Sequence, residues 1–154
     1  MDMTIIRRAT LDDLDAILAM LEDHIAACGN DYPQPERTVV AQTILSSFHH
    51  TAPLVVFLAE SDGTLTGIAC AVASSYLWAK LIQTEIRLVL VDPAHRGGPT
   101  FLRLVKVVRN WAEEKKSVQI TFTLASGIDD ERIAQTLERL GWKRTGIDMV
   151  RDLP

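Results

Sequence analysis

The 154-residue chain is short of several things, and each shortage closes off a class of protein. It has two cysteines, Cys28 and Cys70, outside any Cys-x-x-Cys arrangement. Such usage makes no disulfide framework and points to a reducing cytoplasm as the expected compartment. No apolar run approaches the roughly 20 residues that span a bilayer, so no membrane partner is expected. The start, Met1-Asp2-Met3-Thr4 before Arg7-Arg8, lacks the apolar stretch of a secretory leader. A basic excess is missing as well: 16 Lys and Arg stand against 20 Asp and Glu, a net charge of −4. Nucleic acid is therefore not an expected partner, because phosphate backbones select for positive charge. His24 and Cys28 stand four residues apart and make half a metal site or a thiol–imidazole pair. No other His or Cys cluster completes a shell, so no metal is expected.

What is present is enough apolar sequence, 47%, to build one domain over residues 1–154 with one core. Thr4 to Ala9 reads as a short strand. Thr10, with Asp13 three residues on, reads as the cap of a helix whose buried stripe is Leu11, Leu14, Leu18, Leu21 and Ile25. Cys28-Gly29-Asn30 stops that helix, and a second starts at Pro35 or Glu36 and runs through Val40, Ile44 and Phe48. Strands follow at Leu54–Glu60, Thr66–Ser74 and Gln83–Val91, the first two joined by the turn signal Asp62-Gly63. Phe101–Lys116 is a helix. Val118 to Leu124 alternates apolar with polar residues, as a strand with one buried face does. Asp129-Asp130-Glu131 load the start of a last helix with acid, and Gly141 ends it. Trp142–Thr145 and Met149–Leu153 read as a closing pair of strands. This order predicts a mixed sheet with helices on its faces and a right-handed β-α-β crossover from Gln83–Val91 to Val118–Leu124.

The most informative stretch is Val89-Leu90-Val91-Asp92-Pro93-Ala94-His95-Arg96-Gly97-Gly98-Pro99-Thr100. It reads as strand, basic glycine turn and helix, with Pro99 as the first helical residue. A helix start presents free N–H groups and a positive dipole end, and so holds anions, phosphates above all. Glycines let the main chain come close, and Arg96 adds a charge that forks onto phosphate oxygens. The plainer alternative is a surface turn that caps a helix. Pro99 removes one N–H from the cradle but preorganises the helix start. The amides of Gly97, Gly98, Thr100, Phe101 and Leu102 remain. Arg103, Lys106 and Arg109 recur at helical spacing and either reach toward an outer phosphate of the bound anion or form a solvated face.

The element order and this turn together resemble the GNAT superfamily of acyl-CoA-dependent N-acetyltransferases. Ile5–Leu14 is similar to its first strand and helix, and Val89-x-Val91-x-Pro93-x-x-Arg96-Gly97 to its acyl-CoA motif. Ala134-x-x-x-Glu138-x-x-Gly141-Trp142 is similar to its last helix and glycine–aromatic pair. The resemblance implies a mixed, mostly antiparallel α/β sheet of six to seven strands flanked by about four helices. It also implies a V-shaped splay between strands 4 and 5. Acetyl-CoA is the implied donor, and the acceptor is an amine on a small molecule or a protein. The pantetheine arm is implied to pair with the main chain at Val89 and Val91. The diphosphate is implied to sit on Arg96, Gly97, Gly98, Thr100 and Phe101. The family pattern Arg-x-x-Gly-x-Gly/Ala is altered here, with both glycines next to Arg96. Leucine also stands at 137, where many members carry a tyrosine that protonates the leaving thiolate.

A protonated amine must lose a proton before it attacks a thioester, and a carboxylate serves that need. Glu85, on the strand leading to Val91, is the candidate base. The alternative reading is a solvent-facing glutamate paired with Arg87 or another neighbour. The N–H near Val89 is the candidate oxyanion donor, or else an ordinary ladder donor. Tyr32, Tyr76 and Trp78 fall in loops that either shape an acceptor mouth or cover sheet edges. The Leu137 departure favours a rival reading, a GNAT-fold module that binds acyl-CoA or a partner without turnover. Oligomeric state stays open, homodimers being common among similar proteins.

Overall fold

The computed structural model describes residues 3–28 and 31–153. Gly29 and Asn30, read above as a helix stop, and the chain start Met1-Asp2 lie outside the described residues. Five strands form one sheet in sequence order: β1 (Ile5–Arg8), β2 (Leu54–Ser61), β3 (Thr64–Ser75), β4 (Ile82–Val91) and β5 (Ser117–Phe122). Strands β1 to β4 pair antiparallel, and β4 pairs with β5 in parallel. The four α-helices are α1 (Leu14–Ala27), α2 (Arg37–Ser46), α3 (Thr100–Glu114) and α4 (Asp130–Arg139).

The period of two along β2 feeds two cores, one on each face of the sheet. Val55, Phe57 and Ala59 meet Leu104, Val108 and Trp111 of α3. Val56 and Leu58 point the other way, to Leu14 and Ile17 of α1 and Ile44 of α2. That is why β2 reads as a continuous apolar run. Leu11, placed in the buried stripe by its spacing, is 44% exposed. It lies in a 3-10 turn over Leu11–Asp13 that precedes α1. The Asp13 carboxylate there accepts from Thr10 N at 2.8 Å and is gripped at 2.8 Å by Arg7, which also pairs with Glu60. This network joins β1, β2 and the start of α1.

The strand count differs from the sequence expectation. Five strands pair among the described residues, and Trp142–Thr145 and Met149–Leu153 adopt no strand pairing. The Arg144 guanidinium instead donates to Glu131 and Glu138 on α4 at 2.7 Å each. Trp142 N also donates to Leu137 O. These contacts tie the segment to α4, and it faces β5 across an open groove without pairing to it. Ile147, Met149, Val150 and Leu153 are exposed beyond it.

Gly67 of β3 sets how closely α3 lies on the sheet. A Cβ there would stand 2.8 Å from Leu104 Cδ1, 3.0 Å from Leu90 O and 3.1 Å from Thr100 Cγ2. Backbone Leu90 O and the first turn of α3 cannot both yield, so Gly67→Ala is expected to cost about 1–3 kcal/mol in urea unfolding. Unchanged stability would show that the helix floats free of β3.

A second expectation follows from Asp13, whose carboxyl is held down at about 2, first by its hydrogen bond with Arg7. A depressed carboxyl stabilises the fold above its unfolded value and loses that contribution as pH falls through its folded value. Asp13→Asn is expected to cost on the order of 1 kcal/mol at pH 7, after solvent screening. The difference from the parent closes as pH falls from about 4 to about 2.

Candidate active site

The β4–β5 ladder stops at Ile86↔Phe122, five residues before β4 ends at Val91. Strand β3 follows β4 to Gly67↔Val91. Beyond Ile86, β4 therefore has a partner on one side only. The ring of Phe101, in the first turn of α3, stacks on Phe122 with centroids 6.4 Å apart at the fork. The two strands enclose a cleft of about 700 Å³.

The hydrogen-bond phase of β4 decides what its backbone offers to that cleft. Asp92 N donates to Thr66 O at 2.9 Å, so 66 and 92 are a hydrogen-bonded pair. In an antiparallel ladder such pairs recur every second residue, which assigns 68/90 and 70/88 to the same class. Val89 and Val91 consequently turn N–H and C=O away from β3, into the gap. The Val91 carbonyl receives Arg96 Nε at 3.2 Å, which anchors the start of the following turn.

That turn is shaped by Gly97, whose φ of +82° is a left-handed conformation that favours glycine. Arg103 N closes the first helical bond onto Pro99 O at 3.0 Å, so Pro99 is the N-cap residue and α3 begins at Thr100, one residue later than its sequence suggests. The amides of Thr100, Phe101 and Leu102 precede the helical ladder. No described residue accepts from the Gly97 or Gly98 amide. Of the residues picked out by sequence, Glu85, Val89, Val91, Arg96, Gly97, Gly98 and Phe101 all line the cleft. The Thr100 side chain does not; it is buried against Gly67. Glu85 also has the partner its plainer reading calls for, Arg87 at 3.3 Å.

Sequence reasoning missed Arg132. It projects from α4 on the opposite wall, and a Cβ on Gly97 would lie 3.4 Å from its Nη2. No carboxylate pairs with Arg132 among the described residues. No local signal could have found it, because only the tertiary placement of α4 brings it over the turn. His24, from α1, is the third basic group at this end, and burial and then Arg96 depress its pKa. Its Nε2 contacts Cys28 Sγ at 3.3 Å, but no group of three metal-ligating side chains forms among the described residues. Tyr32 lines the cleft and donates to Ala125 O at 2.9 Å. Tyr76 instead covers the β5 edge, bonding Gln119 at 2.8 Å, and Trp78 packs on Tyr76. Leu137 is buried, 4% exposed. No described helix is long and apolar enough to cross a membrane.

No family model matches the sequence, and no curated protein matches it significantly. Solved structures do match. An acetyltransferase from Trypanosoma brucei superposes with a TM-score of 0.75 at 18% identity, covering 97% of this chain and 99% of that one. Glucosamine-6-phosphate N-acetyltransferase from Arabidopsis thaliana gives 0.77 at 13% identity, covering 99% and 100%. A transcriptional regulator from Bacillus halodurans C-125 gives 0.76 at 22% identity, covering 96% and 99%.

Proposed function

We propose that this chain, which has the GNAT fold, is an N-acetyltransferase that moves an acetyl group from acetyl-CoA directly to an amine. The observation that carries the reading is the one-sided stretch of β4. Val89 offers its N–H and C=O, and Val91 its N–H, in a gap that ends at a glycine turn and a helix start. An extended amide-bearing arm can pair with that edge as another strand would. Its diphosphate then falls on the amides of Gly97, Gly98 and Phe101, between Arg96 and Arg132. The cradle fits the group: Gly97 holds the left-handed turn that glycine favours, its amide and that of Gly98 have no acceptor among the described residues, and Arg132 reaches over it. Arg132 adds a charged donor from the facing wall, where Pro99 contributes none.

In the reaction, the amine nitrogen bonds to the thioester carbon, the C–S bond breaks, and the amine proton leaves. Glu85 takes that proton directly or through one water. The Val89 N–H faces the gap and supplies the oxyanion donor. Buried Leu137 cannot protonate the thiolate. A thiol with a pKa near 8.5 leaves acceptably without help.

Burial of leucine at 137 also favours a second reading, an acyl-CoA-binding module without turnover. Thiol release from acetyl-CoA across a panel of amines separates the two. Transfer gives amine-dependent release that Glu85→Gln lowers at least tenfold, and a module gives binding alone. Calorimetry with coenzyme A tests both. Arg96→Ala and Arg132→Ala are each expected to weaken binding about ten- to hundredfold, the range of a lost charge-assisted hydrogen bond. Arg139→Ala, on the same helix as Arg132, is the control for a surface arginine. No binding by the parent protein would contradict both readings.

A further inference from the structure

The cleft has a second cationic position that the diphosphate does not account for. Arg96 and Arg132 stand at its Gly97 end. Arg87 stands at the fork, four residues before Val91, roughly 13 Å of strand away at about 3.3 Å per residue. Glu85 and Arg87 are two residues apart, so strand alternation sets both on one face. Cys70 faces Leu88 and Ala71 faces Ile86, so Arg87 also sits at a bulge with no residue opposite it in β3. Arg87 and Glu85 both line the cleft, with Nη2 and Oε2 3.3 Å apart.

Their side chains are 59% and 38% exposed, and water screens an ion pair so exposed. A ligand with both charges can replace it at little cost. Glu85 would take an ammonium, and Arg87 would fork onto a carboxylate or phosphate. Because the two groups touch, the ligand's charges must lie within a few bonds of each other.

Resting on the transferase reading above, we propose that the acceptor is a small primary amine carrying an anionic group close to its nitrogen, with Arg87 as the residue that selects it. Arg87 does not contact the thioester; it positions the acceptor so that its nitrogen lies at Glu85.

The test compares matched acceptors at saturating acetyl-CoA: alanine against alaninamide, and phosphoethanolamine against ethanolamine. The parent is expected to favour the anionic member of at least one pair tenfold or more in kcat/KM, and that pair identifies carboxylate or phosphate as the anion. In Arg87→Gln the preference falls to about one, chiefly through KM, and Arg87→Lys restores part of it. A ratio near one in the parent for both pairs overturns the proposal, as does an undiminished preference in Arg87→Gln. If no amine releases thiol, the transferase reading fails by itself. Calorimetry of alanine and alaninamide into the coenzyme A complex then decides the acceptor site. Tighter binding of alanine that Arg87→Gln abolishes upholds it. Equal binding, or none, overturns it.

Discussion

The site depends on one constraint: past Ile86, β4 is paired with β3 and with no strand on its other side. A strand inside a sheet has no backbone capacity left for a ligand. A strand freed along one edge keeps every second N–H and C=O unspent, and extended molecules pair with such edges readily. Here the free length is short: its outward groups belong to Val89 and Val91, and of these the Val91 carbonyl is taken by Arg96. The fork confines the edge to a cleft, which is where the proposed reading puts one extended ligand.

The second requirement is that the helix start meet the end of this edge. Gly67 allows α3 to approach the sheet until the Thr100 methyl and Leu104 lie where a Cβ would otherwise be. Gly97 then reverses the chain in a conformation other residues rarely hold, and Arg96 fixes the turn by bonding back to Val91 O. The two glycines do different work, one in packing and one in backbone geometry. Together they place a helix N-terminus within reach of the unpaired strand, and α4 closes the far wall with Arg132.

Much of this was legible in the chain. The five strands that form, the four helices and the glycine turn follow from periodicities of two and 3.6 and from local breakers, which act over a few residues. Three features were not. The strands expected at Trp142–Thr145 and Met149–Leu153 have suitable composition, yet the segment pairs with no strand and its Arg144 bonds two glutamates of α4. The bulge at Arg87 leaves no composition mark, because one residue too many in a ladder shows only when both strands are aligned. Arg132 looks like any charged residue in an acidic helix start until α4 is set over Gly97. Sequence periodicity locates elements; it does not say which side chains from distant elements meet.

The backbone amides that face the gap can be watched one at a time. In a two-dimensional amide spectrum of the labelled protein, coenzyme A is expected to shift the Val89, Val91, Gly97 and Gly98 signals and slow their exchange with solvent. The Leu88 and Leu90 amides, already bonded to β3, are expected to change far less. Saturable binding that leaves those four amides undisturbed would contradict the account and place the cofactor elsewhere.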